Sequence, residues 1–220
     1  MVNSEEVLLI DAGYENQGFK VFNDLKNENL TIKRVIISHF HDDHMNGLKK
    51  LSEILIYGSY NYKKTLDMWT KKEDHRYYKP DILIKETKEI NFGRHKLKMI
   101  YFPGHSICTM IIIINDKYLY IADELMFSND GKSLLPSVEF EGLKRHINSL
   151  KSLKKYIKYD FIPGHGIVLK EKEEKENHIE NRVKYLTKVY KTKGKISYKK
   201  AIKDCNISFL HKEWHKELNK

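Results

Sequence analysis

The most informative stretch of this 220-residue chain is VIISHFHDDH, residues 35–44. Its first part, Val35 to Ile37, is a continuous apolar run, which is typical of a strand buried on both faces. Its second part places polar side chains directly after that strand. An H-x-H-x-D-H pattern arises by chance on the order of once in a thousand chains of this length. The spacing therefore indicates a function rather than a solvated loop.

The spacing within this motif divides its side chains between two metal ions. His39 and His41 alternate on extended backbone, so their imidazoles project to the same side and can bind one metal. Asp43 and His44 follow where the chain turns into a helix, and they cannot easily reach the same ion. Imidazole with carboxylate is the ligand set of zinc and similar ions. The motif therefore predicts a second metal beside the first.

Three other strand-like segments each end in one candidate ligand. Two of these ligands follow a Pro-Gly pair, and glycine lets the backbone turn sharply and approach a metal closely. Four strand ends of this form in one chain are hard to attribute to accident. The segments and their ligands are residues 97–102 with His105, residues 118–122 with Asp123, and residues 161–162 with His165.

The ordered motifs resemble those of the metallo-β-lactamase superfamily over residues 7–166. The matching positions are Asp11, the HFHDDH stretch at 39–44, His105, Asp123 and His165. The resemblance implies an α/β fold, an αββα metallo-β-lactamase-like sandwich with a two-metal site at its edge and a small helical C-terminal segment. We predict a metallo-β-lactamase-like domain over residues 1–169 and a basic helical C-terminal extension over residues 170–220.

The resemblance also implies a role for each candidate ligand. The implied ligands are His39, His41 and His105 for the first metal, Asp43, His44 and His165 for the second, and Asp123 as a bridge between both. Asp11 would support the ligands from outside the metal site, and such contacts orient imidazoles. The implied cofactors are two divalent metal ions, Zn²⁺ first, with iron or manganese as alternatives. Two adjacent metals lower the pKa of a shared water, and Asp43 would act as the catalytic residue that orients the resulting hydroxide.

The complete ligand set favours one branch of the superfamily. One large class of β-lactamases has Cys where this chain has Asp123, so the set is more similar to glyoxalase II and its relatives. We therefore predict a binuclear metal-dependent hydrolase in which hydroxide attacks the carbonyl of a small-molecule ester or thioester. A lactonase is an alternative that the sequence favours less. Lactonases typically have Tyr shortly after the bridging Asp, whereas this chain has Glu124 to Met126 there. A non-catalytic binding module would predict a broken ligand set, and all seven ligands are present.

The charge distribution keeps a second substrate class open. Residues 170–220 hold 14 lysines and one arginine against eight acidic residues, which gives +7 of the chain's net +10. A basic segment can bind nucleic acid, or it can merely solvate a helical face. Its pattern resembles the winged-helix-like segment of small single-strand endoribonucleases, so a phosphodiesterase acting on single-stranded RNA is the alternative function. The features of this pattern are a helix from Glu171 with Ile179, Val183, Leu186 and Tyr190 on one face, a break at Gly194, and two short helices capped by Ser197 and Ser208.

Composition and cysteine usage bound the cellular context. The longest strictly apolar runs are five residues, which excludes a membrane-spanning helix. The N-terminus has an acidic pair before a short apolar run, unlike a signal peptide, and two cysteines suit a reducing compartment. We predict a cytoplasmic protein with no membrane partner. Only ten residues precede Asp11, so the sheet lacks an edge strand or a partner subunit covers that edge, which motivates a predicted homodimer.

Hydrophobic periodicity predicts several further elements. A helix is expected over residues 18–29, a hairpin turning at Gly93 over residues 88–102, and an amphipathic helix over residues 143–153. The pattern of residues 58–81 predicts a helix or an active-site flap. Its aromatic residues are expected either to form a wall of the substrate site or to pack in the core. Cys108 is predicted to be a buried thiol. Trp69, Tyr77 and Tyr78 are those aromatic residues, and the histidines without an assigned role are His75, His95, His146, His178, His211 and His215.

Overall fold

The computed structural model describes residues 1–219, without the side chains of residues 217 and 219. Over this range the strands form two sheets, accompanied by helices. The strands are β1 (Val2–Asn3), β2 (Glu6–Ile10), β3 (Thr31–Ile36), β4 (Leu55–Ser59), β5 (Ile82–Ile84), β6 (Thr87–Phe92), β7 (His95–Tyr101), β8 (Met110–Ile114), β9 (Tyr118–Ala122) and β10 (Asp160–Pro163). The helices are α1 (Glu15–Asn27), α2 (Asp42–Met45), α3 (Tyr62–Trp69), α4 (His75–Tyr78), α5 (Leu143–Leu153), α6 (Lys172–Lys191) and α7 (Tyr198–Ala201), with short 3₁₀ helices between some of them.

The chain divides into two compact units. The N-terminal unit comprises Met1–Phe102 and Ile107–Asn115, and the C-terminal unit comprises Pro103–Ser106 and the chain from Asp116 onward. The predicted boundary between residues 169 and 170 stays a prediction. None of the described helices is long and apolar enough to cross a membrane.

The first sheet of the N-terminal unit has the strand order β1-β2-β3-β4-β5. Strands β2 to β5 are mutually parallel. Val7 and Leu8 of β2 and the apolar residues of β3 are buried, as expected for parallel strands. The carboxyl ends of β2 and β3 therefore lie at the same edge, where Asp11 follows one strand and the HFHDDH stretch follows the other. The backbone N–H of Asp11 donates to Ile36 O at 2.9 Å.

The N-terminal residues add a short edge strand to this sheet. Strand β1 pairs antiparallel with β2, with Val2 opposite Val7, so part of the outer edge of β2 is covered by the chain itself. The predicted homodimer stays a prediction. The predicted hairpin over residues 88–102 is confirmed by β6 and β7, which turn at Gly93 with a positive φ of 55°.

The C-terminal unit contains the parallel pair β9 and β10, with Ala122 opposite Pro163, together with α5 to α7. Helix α5 has the predicted bounds and packs against α6. The predicted apolar face of α6 is partly wrong, because Tyr190 is exposed and Arg182 is buried instead. Helix α7 begins directly after Ser197 as predicted, whereas the last helical turn begins at Lys212 rather than after Ser208.

Candidate metal centre

His39 and His41 follow β3 on extended backbone in the N-terminal unit. Their ring centroids are 4.5 Å apart, and His39 Nε2 lies 3.1 Å from His41 Nδ1. His39 is fully buried and His41 is half-buried. Phe40 lies between these two histidines in sequence. Its ring belongs to the hydrophobic core, and its backbone N–H donates to the buried sulfur of Cys108 at 3.4 Å. The apolar residue at the centre of the motif thus anchors the two imidazoles.

Asp43 and His44 lie in the single turn of α2, directly after His41. One ligand atom of each lies within 4.8 Å of the other, and His44 Nε2 is 3.7 Å from Asp43 Oδ2. His44 is buried, and the Asp43 side chain keeps a fifth of its surface exposed. Burial, followed by the negative charges of Asp43 and Asp42, raises the pKa of Tyr14. The N-terminal unit therefore groups four candidate donors, three imidazoles and one carboxylate.

Asp11 supports two of these histidines. Its carboxylate accepts hydrogen bonds from the Ser38 N–H at 2.7 Å, the Ser38 hydroxyl at 2.7 Å and His44 Nδ1 at 2.8 Å. Because the Ser38 hydroxyl donates to Asp11, its oxygen accepts the proton of His39 Nδ1, 3.1 Å away. Both imidazoles would then present Nε2 to a metal, as carboxylate-oriented ligands do.

The candidate ligands of the C-terminal unit converge on Asp123. Asp123 and His165 follow the parallel strands β9 and β10, so both lie at the same sheet edge. Asp123 Oδ2 lies 3.4 Å from His165 Nε2 and 3.8 Å from His105 Nε2. Asp123 and His105 are buried, whereas the His165 side chain is 38% exposed. This unit thus places one carboxylate between two imidazoles.

Glu124 is a buried carboxylate that the sequence analysis did not assign to the site. It is 1% exposed, and it accepts the His105 N–H at 2.9 Å and the Ser149 hydroxyl at 2.6 Å. His146 Nδ1 lies 3.3 Å from its second oxygen. Gly104 is backed by Glu124 and Ser149, so a side chain at Gly104 would collide with both. The signal that could have revealed this residue is an acidic side chain inside the otherwise apolar run after β9.

The backbone around His165 is fixed by Phe127. The Phe127 N–H donates to His165 O at 3.1 Å. Gly166 has a φ of +101°, and a Cβ on it would lie 2.5 Å from Phe127 Cβ. Glycine is therefore required here by both conformation and space.

The aromatic residues predicted as wall or packing divide between these roles. Trp69 is 47% exposed, and its ring centroid lies 4.5 Å from that of His41. Tyr78 is fully buried and donates to Asn46 Oδ1 at 2.8 Å, which is packing. Residues 58–81 form helices, including α3 and α4, in agreement with the helical alternative. Cys108 is buried within the core, as predicted.

Comparisons with known proteins identify the family. The family model of the metallo-beta-lactamase superfamily matches residues 1–166. A hydroxyacylglutathione hydrolase of Francisella philomiragia is 26% identical over 136 residues, which cover 59% of this chain and 48% of that protein. The probable metallo-hydrolase YqgX of Bacillus subtilis is 26% identical over 144 residues, which cover 58% of this chain and 64% of that protein. The chain thus spans about half to two thirds of the length of these curated relatives.

A solved structure shares the fold. An archaeal metallo-beta-lactamase superfamily protein from Sulfolobus tokodaii is similar with a TM-score of 0.61 and 20% identity, over 82% of this chain and 77% of that chain. Together with the family match over most of the chain, this similarity confirms the predicted fold class. The chain belongs to the metallo-beta-lactamase superfamily.

Proposed function

We propose that this protein is a binuclear metal-dependent hydrolase of ester or thioester carbonyls. The observation that carries this proposal is the donor set, because each unit groups imidazole and carboxylate side chains at strand ends, backed by buried carboxylates. Such donors fit zinc, and iron or manganese accept the same ligand types. The proposed ligands are His39, His41 and His105 for one metal, Asp43, His44 and His165 for the other, and Asp123 for both.

The side chains have distinct tasks in this proposal. Bound divalent metals supply an acidified water and polarise the substrate carbonyl. Asp43, whose side chain keeps a fifth of its surface exposed, orients the attacking water and accepts its proton. Asp11 fixes His44 directly and His39 through Ser38.

The substrate class rests on the named relatives. Hydroxyacylglutathione hydrolases appear at 26–27% identity, and their name describes cleavage of an acylated glutathione, which favours a thioester substrate. This chain spans about half the length of those relatives, and its similarity to them supports the proposed thioester class. A chain with only two cysteines suits a reducing compartment, and we propose a cytoplasmic location.

The proposal is tested by assaying the purified protein, loaded with zinc, iron or manganese, on four substrates. These are a generic thioester, a lactone, bis-p-nitrophenyl phosphate and single-stranded RNA. We expect metal-dependent thioester hydrolysis. Asp123→Asn should lower its rate by more than about 100-fold, because mutating a residue that only orients a metal ligand already lowers metal affinity or activity by about 10–100-fold. Asp24→Asn, a change at an exposed ion pair on α1, should leave the rate unchanged. Metal-independent hydrolysis, or full activity in Asp123→Asn, would refute the proposal, and lactone cleavage alone would replace it with a lactonase.

The second candidate is phosphodiester cleavage of single-stranded RNA. Residues 191–203 contain six lysines and no acidic residue, and all six lysines are exposed. Tyr190, directly before this cluster, is 42% exposed and is available to stack on a base. The RNA arm of the assay therefore includes the double variant Lys199→Glu/Lys200→Glu, with Lys85→Glu/Lys88→Glu on another surface as the control. Salt-sensitive RNA cleavage that only the first variant reduces, with thioester cleavage unchanged, would favour this candidate.

A further inference from the structure

The buried guanidinium of Arg182 is not used by the proposed chemistry. Arg182 lies on α6 and is 1% exposed. Its Nη2 donates to Met126 O at 2.8 Å and to Leu134 O at 3.4 Å. The guanidinium carbon lies 5.0 Å from the ring centroid of Phe127 and 5.6 Å from that of Phe209. The partners of this cation in the described part of the chain are thus carbonyls and aromatic faces.

Burying this charge costs free energy, so a buried cation is weak evidence for added stability. The contacts of Arg182 are therefore the better guide to its role. Burial lowers the pKa of Arg182 to about 9, which leaves it protonated at neutral pH. A planar guanidinium holds two carbonyls at once and stacks on rings, which an ammonium does less well. Arg182 is therefore suited to fix the geometry of the segment that runs from Met126 to Leu134.

The Met126–Leu134 segment also contacts the backbone of a candidate metal ligand, His165. Leu134 N–H donates to Met126 O at 3.0 Å, so the segment is a closed loop with Arg182 bound at its neck. The next residue, Phe127, donates its N–H to His165 O and packs against Gly166. A shift of Met126 would move Phe127 and, through it, the backbone of His165.

We infer that Arg182 is a positioning residue. By binding the Met126–Leu134 loop, it fixes the backbone of His165 so that this side chain can bind the second metal. This inference rests on the proposed function, because it takes His165 as a metal ligand. It also gives the C-terminal extension a role in supporting the metal centre.

Lys175 provides a matched control on the same helix. It is also 1% exposed, and its Nζ donates to Ile157 O at 3.0 Å and Tyr159 O at 2.8 Å. It therefore binds two carbonyls and an aromatic face, that of Phe161, without contacting the Met126–Leu134 loop. Lys175→Met and Arg182→Met both remove a buried cation from α6.

The experiment measures zinc per chain by equilibrium dialysis and elemental analysis, with the melting temperature of each variant. We expect two zinc ions in the wild type and in Lys175→Met. In Arg182→Met, we expect one tight ion and a second weakened by about 10–100-fold, as for other residues that orient ligands. If both variants lose the second ion in proportion to their stability, the positioning role is wrong.

Retention of both ions at wild-type affinity in Arg182→Met would also overturn the inference. If Arg182→Met does not fold, Arg182→Lys decides in the same way, because it keeps the positive charge but loses the planar guanidinium that holds two carbonyls at once. A wild type that binds fewer than two ions would refute the binuclear site itself, and the inference with it. The wild-type stoichiometry therefore separates the two failures.

Discussion

The two groups of candidate ligands are built in opposite ways. In the N-terminal unit, four donors come from six consecutive residues, 39–44, at the end of one strand. In the C-terminal unit, three donors come from three strand ends that are distributed over residues 105–165. Chain connectivity already brings the members of the first group close together, whereas the second group depends on the packing of distant segments.

Their supports differ accordingly. The N-terminal group is held mainly by Asp11, which accepts three hydrogen bonds from Ser38 and His44. The C-terminal group is held by Glu124 with Ser149 on α5, and by Arg182 on α6. Helices α5 and α6 of the C-terminal unit therefore contribute to ligand geometry, although no motif in the sequence indicates this role.

The largest expected effects come from removing the two supporting carboxylates. Asp11→Asn keeps the volume, and Asn tolerates the positive φ of 59° at this position. Glu124→Gln likewise keeps the volume but brings an amide N–H₂ against groups that donate to the carboxylate. We expect each to lower metal affinity by about 10–100-fold, measured by competition with a chromogenic chelator.

The same pair tests the comparison itself. Glu124→Gln should also lower the melting temperature more than Asp11→Asn, because Glu124 is the more deeply buried and connects His105 with α5. Glu141→Gln, a change at an exposed position in the same unit, serves as a control. Equal melting temperatures for the two variants would show that both ligand groups depend equally on distant packing.

The difference between the groups also explains what the sequence could predict. The HFHDDH stretch predicts its own geometry, because alternation on a strand and the turn into α2 are local properties. The strand ends that carry His105, Asp123 and His165 were predicted as well, because each follows an apolar run. The roles of Glu124 and Arg182 could not be predicted, because their contacts with residues 19 to 56 positions away belong to no motif of the sequence. The contacts of Asp11 are 27 and 33 positions away, and its role was predicted only because it matches a motif of the family.

For the same reason, the face of α6 was only partly predicted. Periodicity alone favoured Tyr190 as a core residue, whereas the structure buries the cationic Arg182 and Lys175. A buried cation has no hydrophobic signature, and its carbonyl partners become known only when the chain has folded. The units of this chain therefore differ in how far local pattern determines their chemistry.

A second, smaller effect concerns pH and the loop that Arg182 binds. Burial, and then the charge of Arg182, lowers the pKa of His178 to about 4, while the Ser133 hydroxyl lies 3.0 Å from its Nδ1 and Glu174 lies 4.0 Å from its Nε2. The unfolded chain takes up a proton on this side chain below about pH 6.5, whereas the folded protein does so only near pH 4. The contribution of His178 to stability is therefore present above about pH 6.5 and is lost as the pH falls towards 4.

This pH dependence is measured as the difference in melting temperature between wild type and His178→Gln from pH 7 to pH 4. The difference should change by several degrees, since about 1 kcal/mol corresponds to about 2–4 °C in a chain of this size. His211→Gln, a change at an exposed histidine, should show no such change. An unchanged difference in His178→Gln would mean that the C-terminal unit depends less on the Met126–Leu134 loop than the comparison of the two units implies.

The smallest effect reports on the N-terminal group alone. Trp69 lies against His41, so zinc binding at His41 should alter the tryptophan fluorescence of the wild type while leaving affinity nearly unchanged in Trp69→Phe. The other tryptophan, Trp214, is stacked on His211 at 4.5 Å and offers the control, because Trp214→Phe should keep the zinc response. In Arg182→Met the response to the first zinc equivalent should persist, since a group held by local connectivity does not need the packing of α6. A response that disappears there would show that the two ligand groups form only together, and the contrast between local and distant assembly would fail.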